Sequence, residues 1–169
     1  GKALHETKRE MARRFANDPL VTTHVQQFAL QGDPALKFFG TKKTEYYVDD
    51  TRLFVQPADL SGLVRAASDS FKIGISIDNY GAVNLKQFAV SLKRTFNNGE
   101  EKTYPSQLFD PVFYNDSIFY MVRNTEEDKE KAIGLNRFEI TIDSGDAIPE
   151  TNENTNIAVI DYFFTNNSV

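Results

Sequence analysis

The chain has no cysteine and no tryptophan among its 169 residues, and only two histidines and two methionines. Without a thiol, cysteine nucleophiles, cysteine-ligated zinc and a disulfide framework are excluded. No apolar run approaches the roughly 20 residues that span a bilayer, so no membrane insertion is expected. A basic stripe is missing too. The 19 Lys and Arg stand against 24 Asp and Glu, a net charge of −5, and nucleic acid is not an expected partner. No leader-peptide pattern is read in these residues, and the opening on Gly1 rather than Met is expected to be the trimmed start of a longer natural protein. What is plentiful is aromatic: 14 Phe and 7 Tyr in a chain that is 40% hydrophobic, a composition that suits a packed, strand-rich domain.

The pattern changes near residue 40. Before it, ALHETKREMARRFAND reads as a helix with Leu4, Met11 and Phe15 on one face, ended by Asp18-Pro19. The next stretch has helical spacing at Val21, Val25, Phe28 and Ala29, and Gly32-Asp33-Pro34 reads as a turn. After residue 44 the period becomes two. TRLFVQP, FKIGISIDN, KQFAVSLKRTF, DSIFYMVRN, NRFEITID and IAVIDYFF read as strands, with a weaker one around YPSQLFDPVFY. Alternation directs Phe71, Ile73, Ile75, Ile77, Phe88, Val90, Leu92, Phe138, Ile140 and Ile142 inward. DSIFYMVRN, apolar on both faces, is expected in the centre of a sheet, and TEEDKEKAIG is expected as a solvated hairpin tip. Asn97-Asn98-Gly99 is a turn whose residues tolerate positive φ. The expected fold is mostly β: an immunoglobulin-like antiparallel β-sandwich of about seven strands, preceded by a short N-terminal helical segment.

Between the last two strands lies a loop with Asp143, Asp146, Glu150, Asn152, Glu153, Asn154 and Asn156. As catalytic carboxylates these would have to flank a cleft, which a hairpin tip does not offer. Their oxygens suit calcium, but the spacing D-x-[DN]-x-[DN]-G of an EF-hand loop is absent. The remaining reading is a polar connection in which Asn and Asp bond their own backbone and accept left-handed turns. We take the loop as structural and assign no catalytic, cofactor-binding or metal residue; calcium stays as the alternative.

The same loop carries a resemblance. FEITIDSGDAIPETNENTNIAVIDYFF resembles the closing segment of the CARDB family, the cell adhesion related domain found in bacteria. Glu150, Asn152, Glu153 and Asn156 match its Glu-x-Asn-Glu-x-Asn-Asn pattern, while Thr155 replaces the first Asn of the final pair. Asn79 and Gly81 match the Asn-x-Gly that ends the family's second strand. The likeness covers roughly residues 52–164. It implies a seven-stranded sandwich that acts as a spacer, adhesion or accessory module rather than an enzyme.

The front piece, THVQQFALQGDPALKFFG, is similar to the end of the peptidase domain of gingipain-like cysteine peptidases of Bacteroidetes. Phe28, Leu30, Gly32, Asp33, Pro34, Ala35, Leu36 and Lys37 carry that likeness. In such enzymes the catalytic His and Cys lie upstream, and neither His5 nor His24 stands in a matching context. The resemblance divides the chain into residues 1–44, a helical remnant of a peptidase domain, and residues 45–169, a CARDB-like sandwich. It implies a secreted or cell-surface protein whose first partner is the parent peptidase domain. Tyr46, Tyr47, Tyr80, Tyr104 and Tyr114 are the residues for the alternative, a module that binds a glycan or a cell-surface protein.

Overall fold

In the computed structural model, residues 2–14, 42–59 and 62–166 are described. The chain divides into two compact units, residues 1–39 and 40–169. Of the first, helix α1 spans Lys2–Arg14. Its exposed face is laced with local ion pairs, Glu10 meeting both Arg13 (2.8 Å) and Arg14 (2.6 Å). Pairs of this kind contribute only tenths of a kcal/mol each. Phe15, the Val21–Ala29 stretch, the turn at Gly32, His24 and the peptidase-like segment Phe28–Lys37 lie outside the described residues.

The second unit is a two-sheet antiparallel sandwich of seven strands: β1 (Tyr46–Pro57), β2 (Ser70–Asn79), β3 (Phe88–Thr95), β4 (Glu101–Phe109), β5 (Asn115–Arg123), β6 (Gly134–Ile142) and β7 (Ile157–Phe164). One sheet has the order β1-β2-β5 and the other β4-β3-β6-β7. Every residue that alternation directed inward is fully buried: Phe71, Ile73, Ile75 and Ile77 from β2, Phe88, Val90 and Leu92 from β3, and Phe138, Ile140 and Ile142 from β6. β-branched residues stand on one face at period two, so each strand covers its own share of the core. The β3–β4 hairpin turns at Asn97-Asn98-Gly99, with Gly99 at φ 84° and the Asn98 side chain accepting the Glu100 N–H.

Two expectations fail. The acidic run is not a hairpin tip but a short helix, α2 (Glu126–Lys131). Thr125 caps it, its hydroxyl accepting the Asp128 N–H while the Asp128 carboxylate accepts the Thr125 N–H. That reciprocal box, with acids in the first turn and lysines in the last, outweighs the polar composition. The second is β5, which is an edge strand and not a central one. Phe119, on its outer face, stays 43% exposed and is flanked by a ring rather than by a further strand: Phe54 folds over Gly74 and meets Phe119 edge-on at 6.1 Å. A side chain at Gly74 would overlap the Phe54 ring.

β1 and β7 lie side by side and run in the same direction. Thr155 donates to the Tyr46 carbonyl, Val159 N–H to the Asp50 carboxylate, the Tyr162 hydroxyl to the Val64 carbonyl, and Ala66 N–H to the Thr165 carbonyl. The chain therefore comes in at the pole where β1 begins and leaves at the opposite pole, where β7 ends. At about 3.3 Å per residue the eight residues of β7 alone separate those poles by ~26 Å.

Candidate functional site

The two motifs that mark the sequence meet in space on the segment Lys43–Tyr46, the lead-in to β1. Asn79 ends β2 and is buried. Its side-chain oxygen accepts the N–H groups of Glu45 (3.2 Å) and Gly81 (2.9 Å), and its amide donates to the carbonyls of Ala82 and Val112 (both 3.2 Å). Gly81 lies directly beneath the lead-in: a Cβ there would overlap the Lys43 carbonyl and the Glu45 nitrogen. Backbone bonds complete this side, from Tyr80 N–H to Glu45 O (2.9 Å) and from Ala82 N–H to Lys43 O (2.8 Å).

The acidic loop holds the other side. The Glu150 carboxylate accepts the Tyr46 N–H (2.6 Å) through one oxygen and the Asn156 amide (3.0 Å) through the other. Glu153 accepts the Glu150 N–H (3.0 Å) and the same Asn156 amide (3.2 Å). The Thr155 hydroxyl donates to the Tyr46 carbonyl (2.8 Å), with the Glu45 carboxylate as a second acceptor within reach (3.2 Å). Asn152 caps the 3-10 turn Glu153–Thr155 by accepting the Asn154 N–H, while its own N–H goes to Glu45. Asp143 and Asp146 both have φ 48°, and the Asp143 carboxylate accepts the N–H groups of Ala147 and Ile148. Thus the side chains of Asp143, Glu150, Asn152 and Glu153, which looked like ligands, accept the chain's own backbone N–H groups.

Glu150 is the electrostatic outlier of the loop. Burial pushes its carboxyl up to about 7, against the pull of the Tyr46 N–H and with Glu153 and Asp143 nearby as like charges. A carboxyl raised in the folded state binds its proton more tightly there than in the unfolded chain. The stability it contributes is then complete below the ordinary Glu range and is lost as pH rises through about 7. Urea unfolding should show about 2 kcal/mol less stability at pH 8 than at pH 5 from this group. Glu150→Gln should flatten the slope between those pH values; an unchanged slope in that variant would place the effect elsewhere.

The five tyrosines separate into two kinds. Tyr46 and Tyr104 are buried and belong to the core, Tyr46 packing on Phe88 at 5.1 Å. Tyr80 and Tyr114 are exposed, and Tyr47 meets Tyr80 at 5.8 Å with the rings inclined by 49°. Tyr47 donates to Asp49, and Tyr80 donates to Asp78, which is also paired with Arg52. The Arg52 guanidinium holds the Asp78 carboxyl below the ordinary range. The Tyr47 and Tyr80 rings are not coplanar.

At the opposite pole is a second polar hub that alternation along β3 places inward: Arg94, fully buried. It donates to Asn136 (2.8 Å), Asn124 (2.9 Å) and the Tyr104 hydroxyl (3.4 Å). Four rings surround it, Phe96 at 4.3 Å, Phe164 at 5.0 Å, Phe138 at 5.3 Å and Phe71 at 6.0 Å. Between the free edges of β4 and β5 lies an open groove of about 440 Å³ lined by Lys102, Tyr104, Pro105, Gln107, Tyr120, Met121 and Arg123.

No protein family profile matches the chain, and no curated protein matches it. Among solved structures it is similar to the crystal structure of a CARDB domain from Pyrococcus furiosus in complex with di-metal ions. That alignment has 15% identity and a TM-score of 0.47, covering 80% of this chain and all of that one. The solution structure of the same CARDB domain aligns at 15% identity and a TM-score of 0.42, covering 75% of this chain and 98% of that one.

Proposed function

We propose that the sandwich is a non-catalytic spacer of CARDB type. In this reading it belongs to the C-terminal part of a secreted or cell-surface gingipain-like peptidase and holds its neighbours apart. The observation that carries the proposal is the placement of its ends. The chain comes in and goes out at opposite poles, and the incoming segment is pinned by Asn79, Glu150 and Thr155. A module pinned in this way fixes where its neighbour begins. The sequence likeness of residues 28–37 to a peptidase end, and of the Glu150–Asn156 motif to CARDB domains, supplies the context.

Pulling the sandwich through its two ends tests this. A spacer should give one cooperative rupture, since tension along the poles loads the β1 and β7 contacts together, and Glu150→Ala should lower the rupture force. Gradual unravelling at low force, or turnover of a protein or polysaccharide substrate by the pure chain, would overturn the proposal.

No metal is part of the proposed function. The Glu150 carboxylate already accepts the Tyr46 N–H and the Asn156 amide, and the Asp143 carboxylate the N–H groups of Ala147 and Ile148, so a calcium ion would have to share oxygens already engaged in the protein's own hydrogen bonds. Thermal melts in EDTA and in millimolar calcium should coincide. A rise in Tm that grows with calcium concentration and disappears in Glu153→Gln would make the loop a cation site.

A further inference from the structure

β5 ends its sheet, and its free edge is covered in an unusual way. The side-chain amide of Gln107, on β4, donates to the Met121 carbonyl (2.8 Å) and accepts the Met121 N–H (3.1 Å). An antiparallel strand would make that same pair of bonds to Met121. Gln107 thus stands where one peptide group of a neighbouring strand would stand. Met121 turns its backbone away from β2, and the unbroken β2–β5 register means that Ser117, Phe119 and Arg123 turn theirs the same way. The Ser117 N–H is covered by the Asp116 carboxylate (2.7 Å). Phe119 lies between the two covered positions.

We propose that the β5 edge is a self-pairing surface for a second copy of this chain, and that the Gln107 amide holds it in check. The register that fits is two-fold and antiparallel, with Phe119 opposite Phe119 of the second copy. Ser117 then faces Met121, and Asn115 faces Arg123. Three features make this occupant complementary. Phe54 and Phe119 form a half-exposed pair across Gly74, and the two-fold axis joins two such pairs into one row of four rings. Arg123 is exposed and has no ion-pair partner among the described residues; this register sets it in line with Asn115 and the Asp78 carboxylate that Asn115 bonds. On the far side of the seam, Pro105 interrupts β4, so that edge offers a poorer template.

Sedimentation of the whole chain over a concentration series tests this. Gln107→Ala should tighten dimer formation by about tenfold or more over the unaltered chain, since the outward groups of Met121 then lack a partner. Adding Phe119→Pro, which removes both the central N–H and the ring, should return the variant to monomer. A Gln107→Ala chain that stays as monomeric as the parent overturns the proposal, and so does a dimer that Phe119→Pro leaves intact. Should Gln107→Ala fail to fold, cross-linking decides. With no native cysteine, Phe119→Cys in the otherwise unaltered chain should form an oxidised dimer faster than Lys93→Cys on the outer face of the other sheet. Equal rates would sink the pairing.

Discussion

Replacing Asn79 by alanine should destabilise the sandwich by about 3–5 kcal/mol, because it leaves several buried backbone groups without partners at once. The Asn79 side chain bonds the lead-in, the β2–β3 connection and the β4–β5 connection together. Its loss would orphan the N–H of Glu45 and Gly81 and the carbonyls that its amide serves. Some of these reach water after relaxation, which is why the expected cost is below the sum of the separate bonds. Thermal melts should show a fall in Tm of roughly 10–20 °C for a unit of this size. Asn79→Asp keeps the acceptor and loses both donors, so it should be impaired at neutral pH and recover part of the loss when acid protonates the new carboxyl. A loss below about 1 kcal/mol in the alanine variant would show that the lead-in is held by its backbone bonds alone.

This hub also shows what the sequence could and could not disclose. The strands were legible because burial writes itself at period two: Phe71-x-Ile73-x-Ile75-x-Ile77 has few other solutions in a chain this polar. The Asn79-x-Gly81 and Glu150–Asn156 motifs were legible as motifs, and the loop as a structural one. That both grip the same four residues was not. They are some 70 residues apart, and neither contains a signal that names its partner. β1 begins at Tyr46, five residues before TRLFVQP, the stretch that reads as a strand. Its first part is recruited by Asn79 and Glu150 rather than by its own pattern.

Other errors have equally local causes. β5 carries apolar residues on both faces, the signature of a buried central strand. Here Phe119 on the outer face stays half-exposed, flanked by a side chain reaching over a glycine, which strand-by-strand reading does not anticipate. The acidic run had the cue that would have corrected it: Thr125 followed three residues later by Asp128, with acids first and lysines last. Capping outweighs charge density here. Tyrosine suits either side of a sheet; Tyr104 is buried and its hydroxyl accepts from Arg94.

Arg94→Ala should be the other large loss, again about 3–5 kcal/mol, and its cause can be separated by a second substitution. Arg94 continues the inward parity of Phe88, Val90 and Leu92, so the sequence placed a guanidinium in the core without giving it a carboxylate. Burial lowers its pKa, yet arginine stays protonated, and the charge is met by two amide oxygens, a hydroxyl and four ring faces. Each ring contributes about 0.5–2 kcal/mol in such a desolvated setting, and the desolvation of the cation opposes the sum. Alanine would remove the packing and leave the fully buried Asn136 oxygen with no donor. Methionine would refill most of the space without the donors, so Arg94→Met should recover about 2 kcal/mol of the alanine loss and no more. Lysine keeps the charge but cannot span Asn136 and Asn124 with one fork, and should fall below methionine. Urea titrations of the three variants give the order. If methionine equals or exceeds the parent, the guanidinium costs the fold more than its bonds return, and the hub is retained for the way it fixes Asn124 and Asn136 at the exit pole.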